Sequence, residues 1–125
     1  MNIETCHLLQ IVNVDIQDER GYTALMWSAE QGLVSAVQLL THYSANCAVT
    51  NQKGMTPLAL ACAKRHEEAA KMLIAPTRQA EAIDLADGRG FTAMAWSEMM
   101  ALQRVGDLLQ EHGAAFISTF LCIHV

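Results

Sequence analysis

Histidine and cysteine side chains are the residues of this chain whose chemistry could bind a metal or attack a substrate. The chain has four cysteines, which are Cys6, Cys47, Cys62 and Cys122. No two of them form a C-x-x-C pair, so their spacing supports neither a disulfide framework nor a zinc ribbon. The stretches 6-CH-7 and 122-CIH-124 contain ligand residues, but they lie at opposite ends of the chain and no fixed spacing connects them. We therefore predict reduced thiols and no metal site.

Known catalytic motifs are absent from the sequence. It contains no G-x-S-x-G, no glycine-rich phosphate loop with lysine, and no H-E-x-x-H. Glu67 and Glu68 form an adjacent acidic pair, which we interpret as a solvated helix face and not as a catalytic pair. His66 and His112 lie at predicted helix ends, where they are expected to be solvated or to cap the helices. The sequence thus predicts no catalytic residue and no cofactor.

Composition and charge narrow the class of protein. The chain has 125 residues, of which 52% are hydrophobic, and this is typical of one packed domain. Its formal net charge of −5 argues against a nucleic-acid partner, because such binding depends on clustered lysine and arginine. No apolar run reaches the roughly 18 residues of a membrane helix, and no basic segment followed by an apolar one begins the chain. We expect no membrane partner and a cytoplasmic location, with the nucleus as the alternative.

One stretch of the sequence occurs three times, as 21-GYTALMWSAEQG-32, 54-GMTPLALACAKR-65 and 90-GFTAMAWSEMMA-101. The copies begin 33 and then 36 residues apart. Each copy has glycine, a variable residue and threonine, and an apolar pair ends seventeen residues after that threonine. These pairs are Leu39-Leu40, Met72-Leu73 and Leu108-Leu109. A period of this length predicts a repeat protein built from stacked units.

The elements of one unit follow from local signals. Asp18 to Gly21 has the composition of a turn, and Thr23 can cap a following helix over residues 24–31. Gly32 is expected to end that helix in the left-handed conformation, and a second helix is predicted over residues 34–43. A single helix pair has too little core to fold alone, so the units must stack to bury their apolar faces.

The three units resemble ankyrin repeats. The family signature T-P-L-H-x-A has counterparts in 23-TALMWSA-29, 56-TPLALACA-63 and 92-TAMAWSE-98. The segments 44-SANCAVTN-51 and 113-GAA-115 are similar to the family's trailing G-A-D-x-N. The resemblance covers residues 8–115 and implies an all-α, ankyrin-type helix-turn-helix repeat solenoid with no sheet beyond pairing between turns.

The resemblance divides the single domain 1–125 into a partial N-terminal unit 1–17, repeats 18–50, 51–86 and 87–115, and an apolar tail or cap, 116–125. The partial unit has room for one short helix over residues 1–12. The extra residues between the second and third repeats are interpreted as a longer connecting loop, 75–87. For the tail 116-FISTFLCIHV-125, three alternatives remain open: it folds back as a cap, it pairs with another copy in a homo-oligomer, or it marks the junction to a longer chain.

Several positions depart from the family pattern. The family's histidine, which commonly ties the turn to the helix, is replaced by Met26, Ala59 and Ala95, so each unit is expected to hold its turn with fewer polar ties. The residue equivalent to Gly32 is Arg65 in the second unit and Ala101 in the third, and a side chain there is expected to be strained. The third unit also has Glu98 at a usually buried alanine position and Gly106 within its second helix. We therefore expect the second and third units to be less stable than the first.

The family implies that turn tips and inner helices form a concave surface for partners. The resemblance places the following residues there: Glu19, Arg20, Tyr22, Glu30, Gln31, Gln52, Lys53, Met55, Lys64, Arg89, Phe91, Met99 and Met100. Tyrosine, methionine and arginine are enriched at protein interfaces, although Tyr22, Met55 and Phe91 could instead pack against neighbouring turns. Trp27 and Trp96 are interpreted as apolar wedges between units, or alternatively as binding anchors.

These features predict a non-catalytic protein–protein interaction module, with a scaffold or adaptor role. The cations of the concave surface lie beside Glu19 and Glu30, so the partner segment is expected to have mixed charge. The alternative is a regulatory or targeting fragment of a larger multidomain enzyme.

Overall fold

The computed structural model describes residues 14–112, which contain six helices and no strand. The helices are α1 (Ala24–Gln31), α2 (Val34–His42), α3 (Pro57–Ala63), α4 (Glu67–Gln79), α5 (Ala93–Met99) and α6 (Gln103–Glu111). The all-α repeat architecture predicted from the sequence is confirmed. The predicted N-terminal helix, the 113-GAA-115 segment and the apolar tail lie outside the described residues.

Each inner helix begins at the threonine of the repeated motif. Thr23, Thr56 and Thr92 have extended backbones, and each hydroxyl oxygen accepts a hydrogen bond from the amide three residues later at 3.2 Å. Such a bond satisfies one of the helix's otherwise unpaired first amides, which is why threonine is favoured at this position. The predicted cap is therefore present in all three units.

A residue in the left-handed region lies at or directly after the C-cap of each inner helix. The φ angles are 71° at Gly32, 61° at Arg65 and 59° at Ala101, so the second and third units have a residue with a β-carbon in the left-handed conformation, where we expect strain. The residue after each of them donates its amide to a carbonyl five positions earlier, at 2.8–2.9 Å. A β-carbon at Gly32 would lie 2.5 Å from the Nδ1 atom of His66. Glycine is thus needed in the first unit for space as well as for conformation.

The helices pack in two layers. The inner helices α1, α3 and α5 contact one another in sequence order, and so do the outer helices α2, α4 and α6, while each inner helix also packs on the outer helix of its own unit. Equivalent inner positions, Leu25, Leu58 and Met94, are at most 2% exposed. The core is therefore continuous across the units, as expected where a single helix pair cannot bury its own apolar face.

The predicted loop over residues 75–87 is wrong in its first part. Helix α4 continues through Pro76 to Gln79, and the connecting segment begins only after it. Proline removes one backbone hydrogen bond from a helix interior, but Ile74 and Thr77 on either side of it are buried, at 1% and 0% exposure. The Thr77 hydroxyl also donates to the carbonyl of Leu73 within the helix. Packing against the core thus offsets the loss at Pro76 and extends the helix.

Candidate functional site

An acidic or amide side chain shapes each of the three turns. Asp18 Oδ1 accepts hydrogen bonds from the amides of Arg20 and Tyr22, both at 2.9 Å. Asn51 and Asp87 form the same pair of bonds, at 2.9–3.0 Å, with the amides two and four residues after them. These bonds fix the turn backbone, because a short polar side chain replaces a main-chain acceptor. Residues at the tips are therefore held in equivalent positions in all three units.

Backbone hydrogen bonds join each turn to the next. The carbonyl of Arg20 accepts from the amide of Gln52 at 3.1 Å, and the carbonyl of Lys53 accepts from Gly88 at 2.8 Å. The approach is close, since a β-carbon at Gly54 would lie 3.0 Å from the Gly88 nitrogen. The turns form a ladder along one side of the helix stack, so equivalent residues of successive turns repeat at a regular interval.

In the first unit, an arginine stacks on two aromatic rings. The rings of Tyr22 and Trp27 lie 4.8 Å apart between centroids, and the Arg20 guanidinium lies 4.8 Å from the first and 4.6 Å from the second. Trp27 donates its indole N–H to Asp18 Oδ2 at 3.1 Å and remains 38% exposed. Bonds from Tyr22 and Trp27 help to hold the pKa of Asp18 below its ordinary value. The carboxylate therefore stays charged beside Arg20.

The third unit repeats this arrangement without the stacked arginine. Trp96 donates its indole N–H to Asp87 Oδ2 at 3.0 Å, and its ring meets that of Phe91 edge-on at 5.5 Å. Trp96 is only 9% exposed, so its ring is largely packed, whereas Trp27 presents much more surface. In the second unit the equivalent residues are Asn51 and Leu60, and the Leu60 side chain has no N–H to donate. The coincidence of aspartate with tryptophan nine residues later, in two of the three units, is a sequence signal that would have revealed this bond.

A groove of about 590 Å³ lies between the turn tips and the inner helices. Its lining spans all three units and contains Arg20, Tyr22, Glu30, Lys53, Met55, Leu60, Ala63, Lys64, Asp87, Gly88, Arg89 and Trp96. The lining contains basic side chains together with apolar and aromatic ones. It therefore has the mixed character typical of a surface that binds a protein.

The polar floor of the groove has unused hydrogen-bonding capacity. Glu30 Oε2 is buried without a hydrogen-bond partner in the described part of the chain. Burial, followed by interaction with the Glu30 carboxylate, raises the pKa of Tyr22, so the phenol remains protonated at neutral pH. A buried carboxylate oxygen without a donor is costly. A partner that supplies an N–H or O–H would remove this cost.

Seven of the thirteen predicted binding residues line the groove: Arg20, Tyr22, Glu30, Lys53, Met55, Lys64 and Arg89. Met55 lies at its floor with 8% exposure, because its side chain packs against the core. The other six lie outside the lining, and they are Glu19, Gln31, Gln52, Phe91, Met99 and Met100. Five further residues line the groove and were not among those thirteen: Leu60, Ala63, Asp87, Gly88 and Trp96.

Three of the residues outside the lining have contacts of their own. Gln52 donates its side-chain amide to the carbonyl of Glu19 at 2.6 Å, which links two adjacent turns. Met99 and Met100 are half-buried and pack against the core. These side chains therefore support the stack, and what they offer a partner is limited to their exposed parts.

The remaining residues with potential chemistry lie elsewhere. Glu67 and Glu68 both form salt bridges with Lys71 on α4, at 3.4 and 3.3 Å. Cys47 and Cys62 are free and buried, and burial raises their pKa values to about 11 and about 12. Within residues 14–112, no group of three or more histidine, cysteine or acidic side chains is placed to hold a metal ion. None of the helices described is long and apolar enough to span a membrane.

Stacked turn-helix-helix units with a groove along their turns define the chain as a helical repeat solenoid. The family model described as "Ankyrin repeats (3 copies)" matches residues 2–87 and, in an overlapping match, residues 29–117. The chain therefore belongs to the ankyrin repeat family, whose repeats generally mediate protein–protein interaction.

Similar proteins include much longer chains. Ankyrin repeat domain-containing protein 63 of Mus musculus is 34% identical over 82 residues, or 65% of this chain and 21% of its own length. The Homo sapiens protein of the same name is 33% identical over the same number of residues and 22% of its length. Palmitoyltransferase AKR1 of Candida glabrata is 34% identical over 64 residues, or 51% of this chain and 8% of that protein. The match thus spans about a fifth of the first two relatives and less of the third.

Proposed function

We propose that this chain is a non-catalytic module that binds a partner protein in the groove between its turns and inner helices. The main observation in favour is the convergence there of Arg20, Lys53 and Arg89 from three successive turns, beside the half-buried ring of Tyr22. Arginine and aromatic side chains contribute most of the energy in many protein interfaces. The partner is accordingly a protein segment that crosses several units.

The first unit is prepared for such binding. Arg20 already stacks on Tyr22 and Trp27, so its side chain loses less conformational freedom when a partner arrives than a free arginine would. Tyr22 is in turn held by its ring contact with Trp27, at 4.8 Å between centroids. We expect these side chains to contribute more binding energy than the unstacked lysines at the rim.

The proposal is tested with a charge-reversed groove and a charge-matched control. In the Lys53→Glu/Arg89→Glu variant, two exposed groove cations are reversed. In the Arg78→Glu/Arg104→Glu variant, two exposed cations on the outer helices α4 and α6 are reversed instead. The net charge of both variants is the same, so a difference between them reports on position.

Circular dichroism first shows that both variants and the unchanged chain are folded. Each chain is then immobilised and exposed to native lysate, and the captured proteins are quantified by mass spectrometry. We expect a set of proteins that the unchanged chain and the control retain and the groove variant loses. Equal capture by all three chains would place the binding surface elsewhere.

A second candidate function is a regulatory or targeting segment of a larger multidomain enzyme. It is supported by the similarity to a protein named a palmitoyltransferase, of which this chain matches only 8%. On this proposal the groove still binds a protein, and catalysis belongs to another domain of the same polypeptide. Sequencing of the full-length transcript tests it, since an open reading frame that continues into a catalytic domain would support the enzyme and one confined to repeats would not. For either candidate we propose a cytoplasmic or nuclear location.

A further inference from the structure

The groove is basic although the chain is acidic. The whole chain has a formal net charge of −5, whereas the groove lining contains four cations, Arg20, Lys53, Lys64 and Arg89, and two carboxylates, Glu30 and Asp87. None of these cations forms a salt bridge within residues 14–112. With four cations and two carboxylates, the groove lining has a net positive formal charge, which attracts an anionic partner.

The Asp87 carboxylate keeps its negative charge, but its hydrogen bonds are made within its own unit. Its Oδ1 atom accepts two backbone amides and its Oδ2 atom accepts the Trp96 indole N–H. Its hydrogen-bonding capacity is therefore directed into its own unit. Glu30 then remains as the groove carboxylate with an unused oxygen. The occupant should consequently be acidic overall and should present one hydrogen-bond donor to Glu30.

The turn cations are placed at a regular interval. Arg20, Lys53 and Arg89 each follow the turn-shaping residue by two positions, and the turns are joined by backbone hydrogen bonds. Each turn folds back on itself, because the amide of residue 18, 51 or 87 donates to the carbonyl four residues later, and hydrogen-bonded backbone segments lie about 4.8 Å apart. The two segments of one turn therefore occupy about 10 Å along the stack. Packed helices of neighbouring units are separated by a similar distance, about 8–10 Å. Equivalent cations should therefore repeat about every 10 Å.

One backbone conformation matches this interval. A polyproline II segment has three residues per turn and rises about 3.1 Å per residue, so every third side chain lies on the same face about 9.3 Å further on. A β-strand would place the third side chain on the opposite face, because its side chains alternate. Polyproline II also leaves backbone amides without internal partners, and such an amide can donate to Glu30.

We propose that the groove binds an extended polyproline II segment of a partner protein that has a carboxylate at every third position, facing Arg20, Lys53 and Arg89 in turn. This inference rests on the proposed function and specifies the occupant of the same groove. It replaces the expectation of a partner with evenly mixed charge by one of acidic side chains in a fixed register. The partner's carboxylates must have this spacing because the ladder of turns sets the distance between the cations.

The test uses fluorescein-labelled, proline-rich peptides and fluorescence anisotropy at low ionic strength. The first peptide has glutamate at positions i, i+3 and i+6. A register isomer has the same composition with glutamate at i, i+2 and i+4. A third peptide has glutamine in place of glutamate at i, i+3 and i+6. We expect the isomer and the glutamine peptide to bind about tenfold more weakly, since each correctly placed exposed pair contributes a few-fold. Salt should weaken the first peptide most.

Charge reversal at Lys53 then tests whether the central carboxylate of the peptide binds at the middle turn. Lys53→Glu should bind the first peptide about tenfold more weakly, and replacement of the peptide's central glutamate by lysine should restore binding to this variant but not to the unchanged chain. Arg78→Glu on the outer layer serves as the control and should bind like the unchanged chain. Equal binding of the two register isomers, or no effect of Lys53→Glu, would overturn the inference.

Failure of this inference can be distinguished from failure of the proposed function. If the register isomers bind equally while Lys53→Glu/Arg89→Glu loses its lysate partners, the groove binds proteins without this register, and the inference is wrong alone. If that variant keeps all its partners, the groove is not the binding surface, and both proposals are wrong.

Discussion

Trp96 donates its indole N–H to the Asp87 carboxylate at 3.0 Å, across the junction between the third turn and its inner helix. Trp27 and Asp18 form the same bond in the first unit at 3.1 Å. The sequence had indicated that each unit would hold its turn with fewer polar ties, because the family's histidine is missing at positions 26, 59 and 95. In the first and third units the aspartate–tryptophan bond supplies a tie of this kind, and that expectation was wrong for both.

Asp87→Asn tests the contribution of this bond. Asparagine keeps the Oδ1 acceptor for the turn, as Asn51 shows in the second unit, but its amide nitrogen cannot accept from Trp96. We expect the free energy of unfolding to fall by about 1–2 kcal/mol, since the hydrogen bond involves a charged acceptor. Urea denaturation measures this, with Trp96→Phe in the Asp87→Asn background as the control. If Trp96→Phe lowered the free energy of unfolding as much in the Asp87→Asn background as in the unchanged chain, the two residues would not be coupled.

Ala101→Gly tests the strain at the end of α5. Ala101 has φ of 59°, a conformation that costs a residue with a β-carbon about 1 kcal/mol more than glycine. We expect the substitution to raise the free energy of unfolding by up to about 1 kcal/mol. Ala75→Gly, at an exposed position within α4, should instead lower it by about 1 kcal/mol. If both substitutions destabilised the protein equally in urea, the left-handed conformation would not be the source of strain.

Thiol reactivity should be suppressed by folding. Burial raises the pKa of Cys62 to about 12 and that of Cys47 to about 11, so at pH 8 the reactive thiolate is a much smaller fraction than for an exposed cysteine. In a Cys6→Ser/Cys122→Ser chain, we expect reaction with Ellman's reagent to be slow in buffer and fast in urea. Rapid modification of the folded chain at pH 8 would contradict the burial of these two side chains.

Local stability should decrease along the stack. The third unit contains a strained Ala101 and a helical glycine, Gly106, whereas the first unit has glycine at the left-handed position. In a linear stack such defects act locally, so we expect amide hydrogen exchange to be slowest in the first unit and the first half of the second, and faster from Asp87 onward. Mass spectrometry of peptic fragments measures this. Strongest protection in the third unit would mean that the Asp87–Trp96 bond outweighs the defects.

The sequence predicted those features that depend on a few neighbouring residues. Thr23 caps α1 and Gly32 ends it because both signals act within one turn of helix. By contrast, the continuation of α4 through Pro76 depends on burial of Ile74 and Thr77 against other helices, and proline by itself indicates a break. Local signals therefore predicted both ends of α1 and misjudged the connection between the second and third units.

The composition of the groove was harder to predict, because it depends on how the turns stack. The family resemblance placed Arg20, Lys53 and Arg89 on one surface, and they do line one groove. It could not show that Asp87 would be occupied by bonds within its own unit, or that Met55 would lie at the floor with 8% exposure. Both outcomes follow from side-chain contacts that a repeat pattern leaves unspecified.

Site-specific photocrosslinking tests most directly whether the groove is the protein-binding surface. Benzoylphenylalanine is placed at Lys64, an exposed residue of the groove, or at Arg78, an exposed residue of the outer helix α4, and each folded chain is irradiated in native lysate. We predict covalent adducts with specific proteins from position 64 and none of the same adducts from position 78. The same adducts from both positions, or adducts from position 78 alone, would contradict the account.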